Sequence, residues 1–313
     1  MDKLKIGIVG DTGMVGQEIQ KILANHPGVE IIFRQNSKRT EGNVAPTNLV
    51  FLATKDEESM RYAPDLINMG KRVIDMSGAF RLRRQEFEKW YSMEHTASKL
   101  LPTTVYGLPG LGPLQREKIA GAQLVANPGC YPTSVILAIQ PITAGLIHEA
   151  SVVSTSGMSG ARKEIAVTSN ERSYNYGRRH KHVPEMERYT GFKIDFTPII
   201  LESVERGINT NIRVKLWGEC RDMAEGTVVE QITAHINSFY CEEDMVTAVI
   251  DTAEKCWGTR DVNGTHKAII KVRVDEGYAY ISSMIDNLWK GAASQAVENM
   301  NIMFGLPRLQ GIV

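Results

Sequence analysis

Leu4-Lys5-Ile6-Gly7-Ile8-Val9-Gly10-Asp11-Thr12-Gly13-Met14-Val15-Gly16 is the stretch that decides the fold. Apolar residues alternate from Leu4 to Val9, which reads as a strand, and the run meets Gly10. From Met14 to Asn25 the apolar residues Val15, Ile19, Ile22 and Leu23 recur at helical spacing. A glycine-rich turn between a strand and a helix is the context that dinucleotide binding requires. Glycines let the backbone turn tightly and approach a pyrophosphate, and the helix N-terminus attracts its charge. The spacing here is GxxGxxG rather than GxGxxG, so a tight turn with no ligand is the competing reading. Gly10, Thr12, Gly13, Met14 and Val15 are the candidate cofactor contacts.

Outward from this turn, strand and helix alternate. Val29 to Phe33 reads as a second strand, and Leu49 to Ala53 as a short buried one. Asp56 to Met69 reads as a helix stopped by Gly70, and Val73 to Asp75 as another strand. That order points to βαβ units on a parallel sheet. No acid ends the second strand, where one would favour NAD. Cations follow it in Arg34, Lys38 and Arg39, so NADP is favoured, with Ser37 and Arg39 as candidate contacts. An exposed charged loop is the alternative.

The second half changes character. Val152 to Thr155, Asn211 to Leu216, Ala268 to Val274 and Tyr278 to Ile285 read as strands, and Thr227 to Tyr240 as a helix. Asp275-Glu276-Gly277 reads as a hairpin turn. The pattern is α+β with an antiparallel or mixed sheet, and helix returns at Gly291 to Phe304.

The 313 residues suggest about two domains. Lys and Arg number 36, as do Asp and Glu, so the net charge is zero. That argues against a general nucleic-acid binder, though not against local pockets for small anions. No signal-peptide layout and no apolar run of membrane-spanning length is seen. Cys130, Cys220, Cys241 and Cys256 form no CxxC pair, so neither a metal site nor a disulfide scaffold is expected. A soluble, cytoplasmic protein is the expectation.

Asn127-Pro128-Gly129-Cys130-Tyr131-Pro132-Thr133 follows an apolar strand, Leu124 to Ala126, and precedes the apolar run Val135 to Ile139. Pro132 suits a first helical turn. Cys130 thus lies at a helix N-terminus, where dipole and free amides stabilise a thiolate. Gly177-Arg178-Arg179-His180-Lys181-His182-Val183-Pro184-Glu185 gathers histidines and cations beside a carboxylate. A Cys-His pair is what an activated thiol nucleophile needs. A buried inert cysteine and a basic surface loop are the competing readings.

Together these motifs resemble the N-acetyl-γ-glutamyl-phosphate reductase family, and the resemblance runs from about Lys5 to Leu306. Val73 to Arg81, Tyr106 to Pro109, Ser156 to Gly160, Phe196 to Pro198, Arg206 to Ile208 and Ile285 to Ala292 resemble further motifs of that family. The resemblance implies a Rossmann-like dinucleotide-binding domain plus an α+β catalytic domain of the semialdehyde dehydrogenase / glyceraldehyde-phosphate dehydrogenase-like type. The domains would be 1–129 plus 290–313, and 130–289, with the last helix packing back on the first. It implies reduction of N-acetyl-γ-glutamyl phosphate to N-acetylglutamate 5-semialdehyde with NADPH, through a thioester on Cys130, by a homodimer or homotetramer. His182 matches the general acid/base, His180 and Glu185 line that site, and Ser77 and Asn287 match cofactor positions. Arg81, Asn127, Ser156, Gly157 and Arg206 match substrate positions, while Arg162, Arg178 and Arg179 are further cations beside recognised motifs.

The chain departs from the family in a short segment between Phe33 and Asn48, in a missing glycine at Gly160-Ala161-Arg162, and in Ile199 after Phe-Thr-Pro. Three other functions compete: a reductase of a carrier-linked aminoadipyl or glutamyl phosphate, an aspartate-semialdehyde dehydrogenase, and an NADP-binding redox sensor.

Overall fold

A computed structural model describes residues 3–142, 146–160 and 170–313. Two compact units divide the chain: residues up to Gly129 with Ala292–Val313, and Cys130–Gly291.

The first unit opens with β1 (Leu4–Val9), α1 (Met14–Ala24), β2 (Val29–Gln35), β3 (Thr40–Gly42), β4 (Leu49–Leu52), α2 (Asp56–Asn68) and β5 (Arg72–Asp75). Then follow α3 (Arg84–Tyr91), β6 (Val105–Tyr106), α4 (Pro113–Gly121) and β7 (Leu124–Ala126). The strands form one sheet in the order β3-β2-β1-β4-β5-β7-β6. All pairs are parallel except β2 with β3. From β1 the chain winds first to β2 on one side and later to β4 on the other. Ligands bind such sheets at the carboxyl ends of the strands beside this reversal. Ile6, Ile8, Leu49, Phe51 and Ile74 are fully buried at the centre of the sheet.

β2 runs two residues past Phe33, to Gln35. Its last residues are only half-buried because their neighbour is the exposed strand β3, so the apolar signal fades before the strand ends. Asn36 makes the turn: its Oδ1 accepts from Lys38 N at 2.9 Å and Arg39 N at 3.2 Å. The short segment after Phe33 thus begins with an antiparallel hairpin of β2 and β3.

The second unit begins with α5 (Cys130–Ile139) and β8 (Leu146–Gly157), then β9 (Glu171–Ser173), α6 (Val183–Thr190) and β10 (Lys193–Leu201). Next come β11 (Ile208–Leu216), α7 (Glu219–Asp222), α8 (Glu225–Phe239), β12 (Val246–Ile250), β13 (Ala268–Asp275) and β14 (Tyr278–Ile285). Its sheet, β12-β13-β14-β11-β8-β10-β9, is mixed: β8 with β10 and β12 with β13 are parallel, the other pairs antiparallel. β13 and β14 are joined by Glu276 at φ 47° and Gly277 at φ 76°, the two left-handed residues a tight hairpin requires. α5 is buried from Tyr131 through Ile139. It packs on β11 and β14, whose inward residues include Ile208, Ile212, Ile281 and Ile285. That packing holds the start of α5 still.

After Gly291 the chain returns to the first unit as α9 (Ala293–Met303), which packs on α1 and α4. α9 is buried although it carries Ser294, Gln295, Glu298, Asn299 and Asn301. Polar groups are stable inside only when hydrogen-bonded. Asn299 Nδ2 donates to Gly107 O at 2.8 Å and to Asn127 Oδ1 at 3.0 Å. Asn301 Nδ2 donates to Arg308 O and Gln310 O, both at 3.0 Å.

Candidate active site

The glycine turn of the first unit is built as a dinucleotide would require. Gly10 has φ +86°, and a Cβ there would stand 2.2 Å from Ala53 O. A Cβ on Gly16 would stand 2.2 Å from Gly10 O, so this glycine is what lets α1 start so close to β1. Gly13 occupies the position before α1, no side chain caps the helix there, and its first turn holds no acid. An anion at this end meets backbone amides and no competing carboxylate inside the helix.

Beside it, the hairpin after β2 adds charge in a balanced form. Arg39 bonds Asp11 Oδ2 at 2.9 Å and also pairs with Glu41. Asn36 Nδ2 donates to Asp11 Oδ1 at 2.8 Å. The sequence reading saw the cations at this corner but not that buried Asp11, from the glycine turn itself, anchors one of them. Ser37 and Lys38 are exposed on the turn.

At the end of β5, Asp75 binds Ser77 twice, through Oγ at 2.8 Å and backbone N at 3.2 Å. Burial pushes the Asp75 carboxyl from its ordinary 3.8 up to about 6, against Ser59, Ser77 and Arg81, which all favour ionisation. The folded chain thus holds this proton more tightly than the unfolded one. Its contribution to stability is full below about pH 4 and is lost as pH rises through about 6. Asp75→Asn is expected to flatten that limb of the Tm–pH curve, an effect of at most about 3 kcal/mol. An unchanged slope between about pH 4 and 7 would refute this account of Asp75.

Two residues expected on the substrate also brace the first unit. Arg81 Nε donates to Asn127 O at 2.8 Å and Nη2 to Met76 O at 2.9 Å. Asn127 Nδ2 donates to Ala292 O at 3.2 Å, and its N to Asp75 O at 2.8 Å. Both therefore tie together the loops that follow β5 and β7.

In the second unit Cys130 is the first residue of α5, half-buried and free of any disulfide. The backbone of the loop after β14 lies against it: a Cβ on Gly291 would come within 2.8 Å of Cys130 Cβ. Its neighbour in the chain, Tyr131, belongs to an aromatic cluster. The His180 ring lies 4.7 Å from that of His182, 5.7 Å from Tyr131 and 5.3 Å from Phe196. The Tyr131 ring is 6.0 Å from that of His182.

The two histidines differ. His180 Nδ1 accepts the backbone N–H of His182 at 3.2 Å. Burial, with the Lys181 charge, pulls His180 down to about 4, so near neutrality it is uncharged and carries its proton on Nε2. His182 is the residue before α6, where Pro184 starts the helix, and buried Glu185 follows one turn on. The histidine motif is thus a helix start and not the plain loop its charges suggest.

Asn287 is locked. Its Oδ1 accepts Gly207 N–H at 2.8 Å, which leaves Nδ2 to donate to Ser159 Oγ at 3.1 Å. Ser156 Oγ donates to Gly157 O at 3.2 Å. Gly157 has no room for a side chain, since a Cβ there would be 2.6 Å from Arg206 N. Arg206 pairs with buried Asp286 at 3.4 Å. Arg178 is drawn away to Glu187 and Ile194 O, and Arg179 is exposed. Arg162 lies outside the described residues.

Comparison with known proteins places this geometry. Semialdehyde dehydrogenase family models match both units: the NAD binding domain at residues 5–48 and 43–122, the dimerisation domain at residues 130–287. An N-acetyl-gamma-glutamyl-phosphate reductase of Desulfotalea psychrophila is 36% identical, covering 99% of this chain and 98% of that one. The chain belongs to the N-acetyl-γ-glutamyl-phosphate reductase family. Another member, from Thermus thermophilus, is 33% identical with 96% of each chain covered. The aspartate semialdehyde dehydrogenase II of Vibrio cholerae superposes with a TM-score of 0.74 at 18% identity, covering 97% of this chain and 99% of that one. It shares the reductase family's fold.

Sequence reasoning missed Asp11, Asp75 and Gly291. Asp75 and Gly291 lie inside recognised motifs, which was the one signal they carried. Asp11 acts through Arg39, a neighbour distant in the chain.

Proposed function

We propose that this protein reduces N-acetyl-γ-glutamyl phosphate to N-acetylglutamate 5-semialdehyde with NADPH and releases phosphate. The observation that carries the reading is Cys130 at the first turn of α5, directly before Tyr131, whose ring stands 6.0 Å from that of His182. Helix amides and dipole favour the thiolate there. His182 takes the thiol proton. The sulfur attacks the acyl carbon, a C–S bond forms, the bond to phosphate oxygen breaks, and phosphate leaves a thioester on Cys130. When bound, the dinucleotide supplies the hydride. Amides at the start of α5 stabilise the oxyanion on the acyl oxygen, and His182 manages its proton as the C–S bond breaks. The aldehyde leaves and the thiolate is restored.

In this reading the first unit holds NADP: Gly10, Thr12, Gly13, Met14 and Val15 cradle the pyrophosphate. Ser37, Lys38 and Arg39 face the 2′-phosphate, with Asp11 fixing Arg39 in place. Ser77 is a further contact of this unit with the cofactor, and in the second unit Arg206 meets a substrate anion. The second unit is catalytic and joins copies into a homodimer or homotetramer, in the cytoplasm. Four free cysteines fit that compartment, and among the described residues no helix is long and apolar enough to cross a membrane.

An assay of N-acetylglutamate semialdehyde oxidation tests this. NADPH should form only when phosphate is present, and faster with NADP than with NAD. Phosphate-independent turnover, or better turnover of aspartate semialdehyde, would sink the proposal.

A further inference from the structure

The mechanism above does not use Tyr174, yet its hydroxyl belongs to the same cluster. Tyr174 Oη donates to Tyr131 Oη at 3.2 Å. A hydroxyl has one proton to give. Tyr174 Oη, having given its own to Tyr131, is left as an acceptor, and its next partner has to be a donor.

That acceptor lies near the reacting sulfur. Tyr131 directly follows Cys130, and the Tyr174 ring stands 5.6 Å from that of His180. Burial pushes the Tyr174 phenol up to about 12, and the Cys130 charge adds to the rise, so the hydroxyl keeps its proton throughout the working pH range. Tyr174 is half-buried rather than sealed in.

The substrate read above has one donor to offer. At neutral pH its phosphate, carboxylate and carbonyl oxygens only accept; the acylamino N–H alone donates. We propose that Tyr174 Oη accepts a hydrogen bond from this N–H and so selects substrates that carry an acylamino group. The proposal rests on the function assigned above and adds a specificity residue to it.

The test compares N-acetylglutamate 5-semialdehyde with its analogue bearing acetoxy in place of acetamido, on the wild-type protein and on Tyr174→Phe. The wild type should favour the acetamido compound by roughly five- to tenfold in kcat/KM, the worth of one neutral hydrogen bond. Tyr174→Phe should erase that preference by raising KM for the acetamido compound, with kcat less affected. The ring that packs on His180 is kept in this variant, so a purely structural role would instead slow both compounds alike. Equal wild-type rates on the two, or equal losses in the variant, overturn the proposal. Should the variant fail to fold, the wild-type ratio still decides: a preference supports the proposal and parity ends it. If the wild type turns over neither compound, the assigned function has failed, and the specificity claim with it.

Discussion

Cys130→Ala is expected to abolish turnover, by on the order of 10⁴-fold or more, while cofactor binding stays near wild type. The thiolate is the only group in the proposed mechanism that holds the acyl carbon, so nothing else can carry the thioester. Cys220, Cys241 and Cys256 lie on α7, beyond α8 and after β12, and two of them are exposed. None belongs to the cluster around His182. Alanine keeps the Cβ that stands against Gly291, so the local packing survives the change. Two measurements check this: NADPH binding by fluorescence, and phosphate-dependent aldehyde oxidation. Substantial activity in the variant would show that the chemistry does not pass through this sulfur.

His182→Asn is expected to cost about 10²-fold or more in kcat, the usual loss when a general acid/base is removed. The structure separates it from His180 by the use each ring already has. His180 Nδ1 is taken up by the His182 amide, and burial holds its pKa at about 4. In the proposed mechanism it therefore acts on His182 by fixing its backbone, while His182 moves the substrate's proton. His180→Asn should disturb KM and kcat together and leave a titrating base in the pH–rate profile. His182→Asn should remove that limb. A near-normal rate in His182→Asn, with collapse in His180→Asn, would transfer the role to His180.

Much of this was legible in the sequence where the signal is local. β1 and α1 were readable because Leu4–Val9 alternates and Met14–Ala24 has a helical stripe. The β13–β14 hairpin was readable from a turn that only a few residue types can make. β10 was harder. Its alternating inward residues Ile194, Phe196, Pro198 and Ile200 include a proline, which argues against a strand inside a sheet. Phe196 N–H points to Gly177 O, so the missing donor of Pro198 falls on the same side, where β9 pairs only from Ile199 onward. β9 and β3 are exposed three-residue strands with no apolar pattern to read. α6 had both of its signals in plain view, Pro184 near its start and Gly191 at φ 72° after its end, but its charges drew the eye to a loop. At the site, single residues were visible and couplings were not. Nothing in the chain announces that Asp11 holds Arg39, or that Arg81 braces Asn127.

The return of α9 to the first unit bears on how the chain is made. One wall of that unit's core, against α1 and α4, comes from residues made only after the whole second unit. Cys130–Gly291 is a continuous stretch and can condense as soon as it has emerged. The nucleotide-binding half has to wait, its β-sheet lacking a cover, until translation has passed Met303.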